Sequence, residues 1–142
     1  MIILDTDHLT LVKYAESDRA QRLADRLRAL PADAVVAISI VTVEEQMRGW
    51  PAAVAKERSA RRQVFAYSEL TRLLEYFQTY TIASFDDRAA QQFDELRTAK
   101  IRLGTMDLKI AATALVNQAI LLSANRSDFG RVPGLRVENW LD

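Results

Sequence analysis

The chain has 142 residues, is 49% hydrophobic, and balances 19 basic against 19 acidic side chains. It is long enough to bury a core and reads as one domain over residues 1–142, with a charge that does not single out nucleic acid as a partner. The lack of cysteine and the single histidine, His8, exclude disulfides, thiolate chemistry and zinc sites that need two His ligands.

Residues 1–4 are an apolar run that reads as a buried strand, after which Thr6 or Asp7 caps a helix through Leu9, Leu11 and Val12. Leu23, Leu27 and Leu30 give residues 18–30 a helical face, with Arg19, Arg22, Arg26 and Arg28 on the solvated side. Residues 35–39 read as a strand and 42–48 as a helix that Gly49-Trp50-Pro51 breaks. Residues 52–78 are one long helix or a helical hairpin. Its apolar face is Val64, Tyr67, Leu70, Leu74 and Phe77, and its start, at Lys56, Arg58, Arg61 and Arg62, is basic. A short strand at 80–83 precedes an amphipathic helix at 86–100, which carries Ala89, Phe93 and Leu96. The most apolar helix is 106–118, with Thr105 as its N-cap and Ile110, Ala111, Ala114 and Leu115 facing inward. Strands at 120–122 and 135–137 flank a loop that holds Asn125, Arg126, Asp128 and Gly130. The alternation predicts an α/β fold: a central parallel sheet with helices on both faces. With no basic leader and no apolar run near the ~18 residues of a membrane span, a cytoplasmic protein is expected.

Asp5 closes the first strand, Glu45 follows the second, Asp107 opens the apolar helix and Asp128 lies just past the strand at 120–122. In an open parallel sheet, such positions gather outside the carboxyl ends of the strands. Converging carboxylates repel unless a cation lies between them, so a hard divalent metal and phosphate chemistry are expected. Each acid also has a plainer role in capping, dipole compensation or turns. For Asp5 the site is the better reading, because an apolar strand delivers it; for Asp7 the cap is better. His8 fits a local hydrogen bond or a substrate edge better than an essential base. Glu44 and Glu45 point about 100° apart on a helix, and spacing leaves open which one faces the site. The basic stretch 56–62 reads as a solvated face, while Arg48, Arg126 and Arg131 are candidates to grip phosphate. If the 52–78 hairpin projects, its apolar face needs covering by a second copy or another protein.

These residues together resemble a known family, the PIN-domain ribonucleases, and within it the VapC toxins of bacterial toxin–antitoxin pairs. The resemblance runs through Ile3-Leu4-Asp5-Thr6-Asp7, then Ile38-Ser39-x-x-Thr42-x-x-Glu45-x-x-x-Gly49, then Met106-Asp107-Leu108-x-Ile110-Ala111-Ala112-Thr113-Ala114. It ends in Leu122-Ser123-x-Asn125-x-x-Asp128-Phe129. Ser123 stands where Thr is usual, and His8 replaces a commoner apolar residue. The resemblance selects Glu45 over Glu44. It implies a Rossmann-like three-layer α/β/α sandwich with a protruding helical hairpin, an Mg²⁺ or Mn²⁺ cofactor, an RNA substrate, and inhibition by a small VapB-like antitoxin. It also implies that Asp5 and Asp107 ligate the metal, with Glu45 and Asp128 acting through water or on a second ion. Thr6, Ser123, Asn125 and Arg126 surround them. Two rival readings are a haloacid-dehalogenase-like phosphatase using Asp5 of Asp5-x-Asp7, and a PIN-like module that only binds RNA or protein.

Overall fold

The computed structural model describes residues 1–14 and 16–141. Five short strands, β1 (Ile2–Leu4), β2 (Val36–Ser39), β3 (Thr81–Ala83), β4 (Ile120–Leu122) and β5 (Arg136–Glu138), form one sheet. All pairings are parallel, in the order β3-β2-β1-β4-β5. Ile3 sits opposite Ala37 on one side and Leu121 on the other, so β1 is the fully enclosed centre. Its residues are apolar throughout because a central parallel strand is covered on both faces.

Strand periodicity divides the core in two. Ile3, Ala37 and Leu121 point into one layer, packed by Ala89-to-Leu96 and Leu108-to-Ala114 residues of α6 (Asp87–Thr98) and α7 (Thr105–Val116). Ile2, Leu4, Ile38 and Leu122 point into the other. There they meet Leu9 of α1 (Thr6–Lys13), Leu27 of α2 (Asp18–Arg28), Val43 of α3 (Ile40–Met47), and Leu73 and Phe77 of α5 (Ala60–Phe77). The expected three-layer α/β/α arrangement is therefore present.

Several local readings change. Asp5, not Thr6 or Asp7, occupies the N-cap position of α1, and its side chain makes no capping bond. Gly104, not Thr105, precedes α7. Gly49-Trp50-Pro51 does not break the chain but opens α4 (Gly49–Lys56), where proline is tolerated in a first turn. Arg48 ends α3 and begins α4 with helical backbone angles, φ −53° and ψ −36°. The region 52–78 is thus a hairpin of α4 and α5, with Trp50 set edge-on to Phe65 at 6.2 Å. The buried face of α5 is Ala66, Leu73 and Phe77, whereas Val64, Tyr67 and Leu74 of the expected face are exposed. The loop after β4 contains a short helix, α8 (Arg126–Phe129). Arg19 and Arg26 are less free than a solvated face implies: Arg19 Nε donates to the Leu141 carbonyl at 2.6 Å, and Arg26 stacks 4.0 Å over the Trp140 ring.

Candidate active site

The strand order reverses beside β1, which opens the crevice where ligands collect in such sheets, past the carboxyl ends of β1 and β4. Asp5 stands there because Leu4 is the last residue of β1. Its Oδ2 accepts from the Ser123 hydroxyl at 2.8 Å, and Ser123 is fully buried just past β4. The same hydroxyl oxygen accepts the Asn125 N–H at 3.0 Å, and the Asn125 amide donates to Asp128 Oδ2 at 3.0 Å. The turn after β4 therefore links the first acid to the last. Ser123 does this with its hydroxyl alone, which is what replacing Thr by Ser preserves.

Burial pushes the Asp5 carboxyl above its ordinary value of 3.8; the Thr6 N–H and the Ser123 hydroxyl resist, and the Asp7 and Asp107 charges add to the rise. Glu45 is also raised, first by desolvation and then by Asp107 and Asp5, against the pull of Arg48. Asp107, in the first turn of α7, is raised by desolvation and then by Asp128. Asp5, Glu45 and Asp107 are thus each raised by a carboxylate from another element. Glu44 does not join them: it is exposed and pairs with Arg48 at 3.5 Å. The fold separates two neighbours that helical spacing alone leaves equivalent.

Among the described residues, no three acidic or histidine side chains stand close enough to hold a metal ion as they are. The coupling is of charge, at longer range than ligand contact. The donor set nevertheless suits a hard cation. It consists of carboxylate oxygens alone, and Mg²⁺ takes only one or two carboxylates and keeps water on its remaining positions.

The remaining candidates are placed as follows. Thr6 is half-buried beside Asp5, and Arg126 is exposed at the start of α8. Arg131 pairs with Asp128 at 3.4 Å and donates to the Arg102 carbonyl at 2.9 Å, so it is engaged with protein. Asp7 is not a cap. Burial works to raise its carboxyl, but hydrogen bonds from His8 and Ala124 outweigh that and hold it below 3.8. With both oxygens engaged, Asp7 does not offer the free second acid of an Asp-x-Asp phosphatase tip. His8 is fully buried with both ring nitrogens bonded, which removes it from any substrate edge.

Two features lay outside the motif reading. The Thr42 hydroxyl, fully buried one helical turn before Glu45, has no hydrogen-bond partner. Trp140 reaches back to His8 through its backbone. The lone buried histidine was the one sequence signal for the second; an orphan hydroxyl leaves none.

Comparison with known proteins agrees with this fold. The family model described as PIN domain matches residues 2–135. The chain is 27% identical to ribonuclease VapC2 of Rickettsia felis, over 97% of this chain and 96% of that protein. Among solved structures it resembles a chain of the Rickettsia felis VapBC2 complex bound to a promoter DNA fragment, with TM-score 0.71, 27% identity and 99% of each chain covered. It also shares its fold with a chain of VapBC-1 from nontypeable Haemophilus influenzae, with TM-score 0.71, 20% identity and full coverage of both.

Proposed function

Because the chain belongs to the PIN-domain family, we propose that it is a VapC-type toxin: an Mg²⁺-dependent endoribonuclease that cuts cellular RNA in the cytoplasm and so inhibits translation and growth. The observation that carries this reading is that Asp5, Glu45 and Asp107 are all raised at the sheet's switch point, first by burial and then by a neighbouring carboxylate: Asp107 acts on Asp5 and Glu45, and Asp128 acts on Asp107. Carboxylates held this way invite a cation. The relative named ribonuclease VapC2 supports the choice of RNA.

Asp5 and Asp107 are the residues to hold Mg²⁺ directly, with Glu45 and Asp128 acting through water or on a second ion; Mn²⁺ is the natural substitute. When bound, such an ion makes water nucleophilic at neutral pH and offsets the charge that develops on a phosphodiester. The protein's own groups supply orientation. Ser123 fixes one oxygen of Asp5, and Asn125 fixes one oxygen of Asp128. Arg126, exposed beside them at the start of α8, is the cation to meet an RNA phosphate, with Thr6 half-buried next to Asp5.

The toxin reading also requires partners. The exposed Val64, Phe65 and Tyr67 on α5, and the apolar trough of about 340 Å³ lined by Ile40, Val43, Leu74, Phe77 and Ile82, are surfaces a monomer rarely leaves bare. They support a homodimer and a VapB-like antitoxin. The deciding experiment incubates the purified protein with total cellular RNA and Mg²⁺ and maps the new ends by sequencing. Discrete ends that vanish with EDTA and in Asp107→Asn are expected. Intact RNA from a folded, metal-loaded protein leaves the non-catalytic binding module as the answer.

A further inference from the structure

Asp7 and His8 join three parts of the molecule that lie far apart in sequence. Asp7 is in the first turn of α1, and its carboxylate bonds both within that turn and across to the chain after β4. One oxygen takes the His8 backbone N–H at 2.7 Å and the His8 ring Nδ1 at 2.6 Å, and the other takes the Ala124 N–H at 2.9 Å. His8 Nε2 accepts the Trp140 N–H at 3.0 Å. One neutral tautomer satisfies both ring contacts: Nδ1 carries the proton and donates to Asp7, and Nε2 offers its lone pair to Trp140. The ring is 0% exposed, so water cannot replace either bond, and losing the imidazole takes one of two donors from that Asp7 oxygen and strands the Trp140 amide.

Ala124 lies between the two relay residues of the site. Ser123 on one side donates to Asp5, and Asn125 on the other donates to Asp128. Fixing the Ala124 amide therefore fixes the turn that sets both acids. The far end of the relay is itself held: the Arg26 guanidinium stacks on the Trp140 ring and Arg19 binds the Leu141 carbonyl.

We propose that Asp7 and His8 are a positioning pair that holds the turn after β4, and with it Ser123, Asn125 and Asp128, in place against Asp5, anchored by the backbone of Trp140. The consequence for catalysis rests on the nuclease reading above; the consequence for metal binding and turn rigidity does not. The C-terminal segment thereby becomes part of the machinery that orders the site, without touching substrate.

The test compares wild type with His8→Phe, Asp7→Asn and Trp140→Phe, the last of which keeps the backbone donor. Amide exchange by NMR, Mg²⁺ binding by calorimetry and RNA cleavage are measured on each. In the first two variants, the Ala124 and Trp140 amides should exchange about tenfold faster or more. Mg²⁺ affinity and kcat should fall about 10- to 100-fold, the usual effect of removing a partner that orients a ligand, with KM little changed. Trp140→Phe should match wild type. Folded His8→Phe and Asp7→Asn proteins with wild-type Mg²⁺ affinity overturn the proposal, as does Trp140→Phe reproducing their losses. If the first two do not fold, Trp140→Pro is compared with Trp140→Ala, since proline alone removes the N–H. Equal Mg²⁺ affinity in that pair overturns the proposal equally. A wild type that binds Mg²⁺ but cuts no RNA refutes the nuclease reading and leaves the exchange and calorimetry arms decisive.

Discussion

A carboxylate raised by its neighbours is a stored cost, and its sign fixes how the protein responds to pH. Asp5, Glu45 and Asp107 all lie above their ordinary values, 3.8 for Asp and 4.5 for Glu. The folded state therefore holds protons that the unfolded chain releases. The stability these groups contribute is present below the ordinary values and is lost as pH rises through the raised ones. In EDTA, Asp107→Asn is expected to melt higher than wild type at pH 7, with the gap closing as pH falls towards about 4. Thermal melts across that range check it, and a gap independent of pH would refute it. Added Mg²⁺ should raise the Tm of wild type more than that of the variant. Thr42 presents the opposite kind of cost, a buried hydroxyl without a partner. Thr42→Val is expected to stabilise the fold by about 1 kcal/mol, read as a higher urea midpoint with an unchanged slope. Asp5 was legible because an apolar strand delivers it. The separation of Glu45 from Glu44 was legible only through family spacing, since it depends on α7 lying across α3's inner face. The local hydrogen bond expected of His8 is present, to Asp7, but the cap expected of Asp7 is not, and the long-range partners of the pair, Ala124 and Trp140, are more than a hundred residues away.

Among the elements, the helix ends depart most from local sequence rules. Lys100 and Gln118 have φ of 58° and 51°, a left-handed conformation that normally calls for glycine. Each follows a helix that closes with paired bonds. Ile101 N–H reaches the Leu96 carbonyl and Lys100 N–H the Arg97 carbonyl; Ala119 and Gln118 repeat the pattern on Ala114 and Leu115. Without glycine at either position, neither stop carried its usual signal. Gln118→Gly, which removes the Cβ strain, is expected to stabilise by roughly 0.5–1 kcal/mol after the larger entropy of the unfolded chain is subtracted; thermal denaturation measures it. In α5 the spacing predicted one apolar stripe, Val64, Tyr67, Leu70, Leu74 and Phe77, and the buried face is turned from it. The fold buries Ala66, Leu73 and Phe77 and leaves Val64, Phe65 and Tyr67 outside, with Phe65 69% exposed. Phe65→Lys should leave the melting temperature nearly unchanged while weakening self-association in sedimentation experiments. A destabilised monomer would instead assign Phe65 to the core of its own chain.

At the scale of the whole molecule, the parallel sheet and its two cores followed from strand–helix alternation, and the order β3-β2-β1-β4-β5 explains how acids far apart in sequence come within reach of one another's charge. The order itself was not readable from periodicity, which is blind to which strands are neighbours. Its site is built from strand tips and helix starts, so the scaffold is rigid where the chemistry is proposed, while the exposed apolar surface lies on the hairpin and the β3 edge. Only three residues make β1, yet they send Ile3 to one core and Ile2 and Leu4 to the other. So brief a strand has no spare length in which to absorb an error. Removing any one of the three would transpose the two cores and draw Asp5 from the rim into the place of a fully enclosed leucine. The position of the first acid is counted out along β1, one residue at a time.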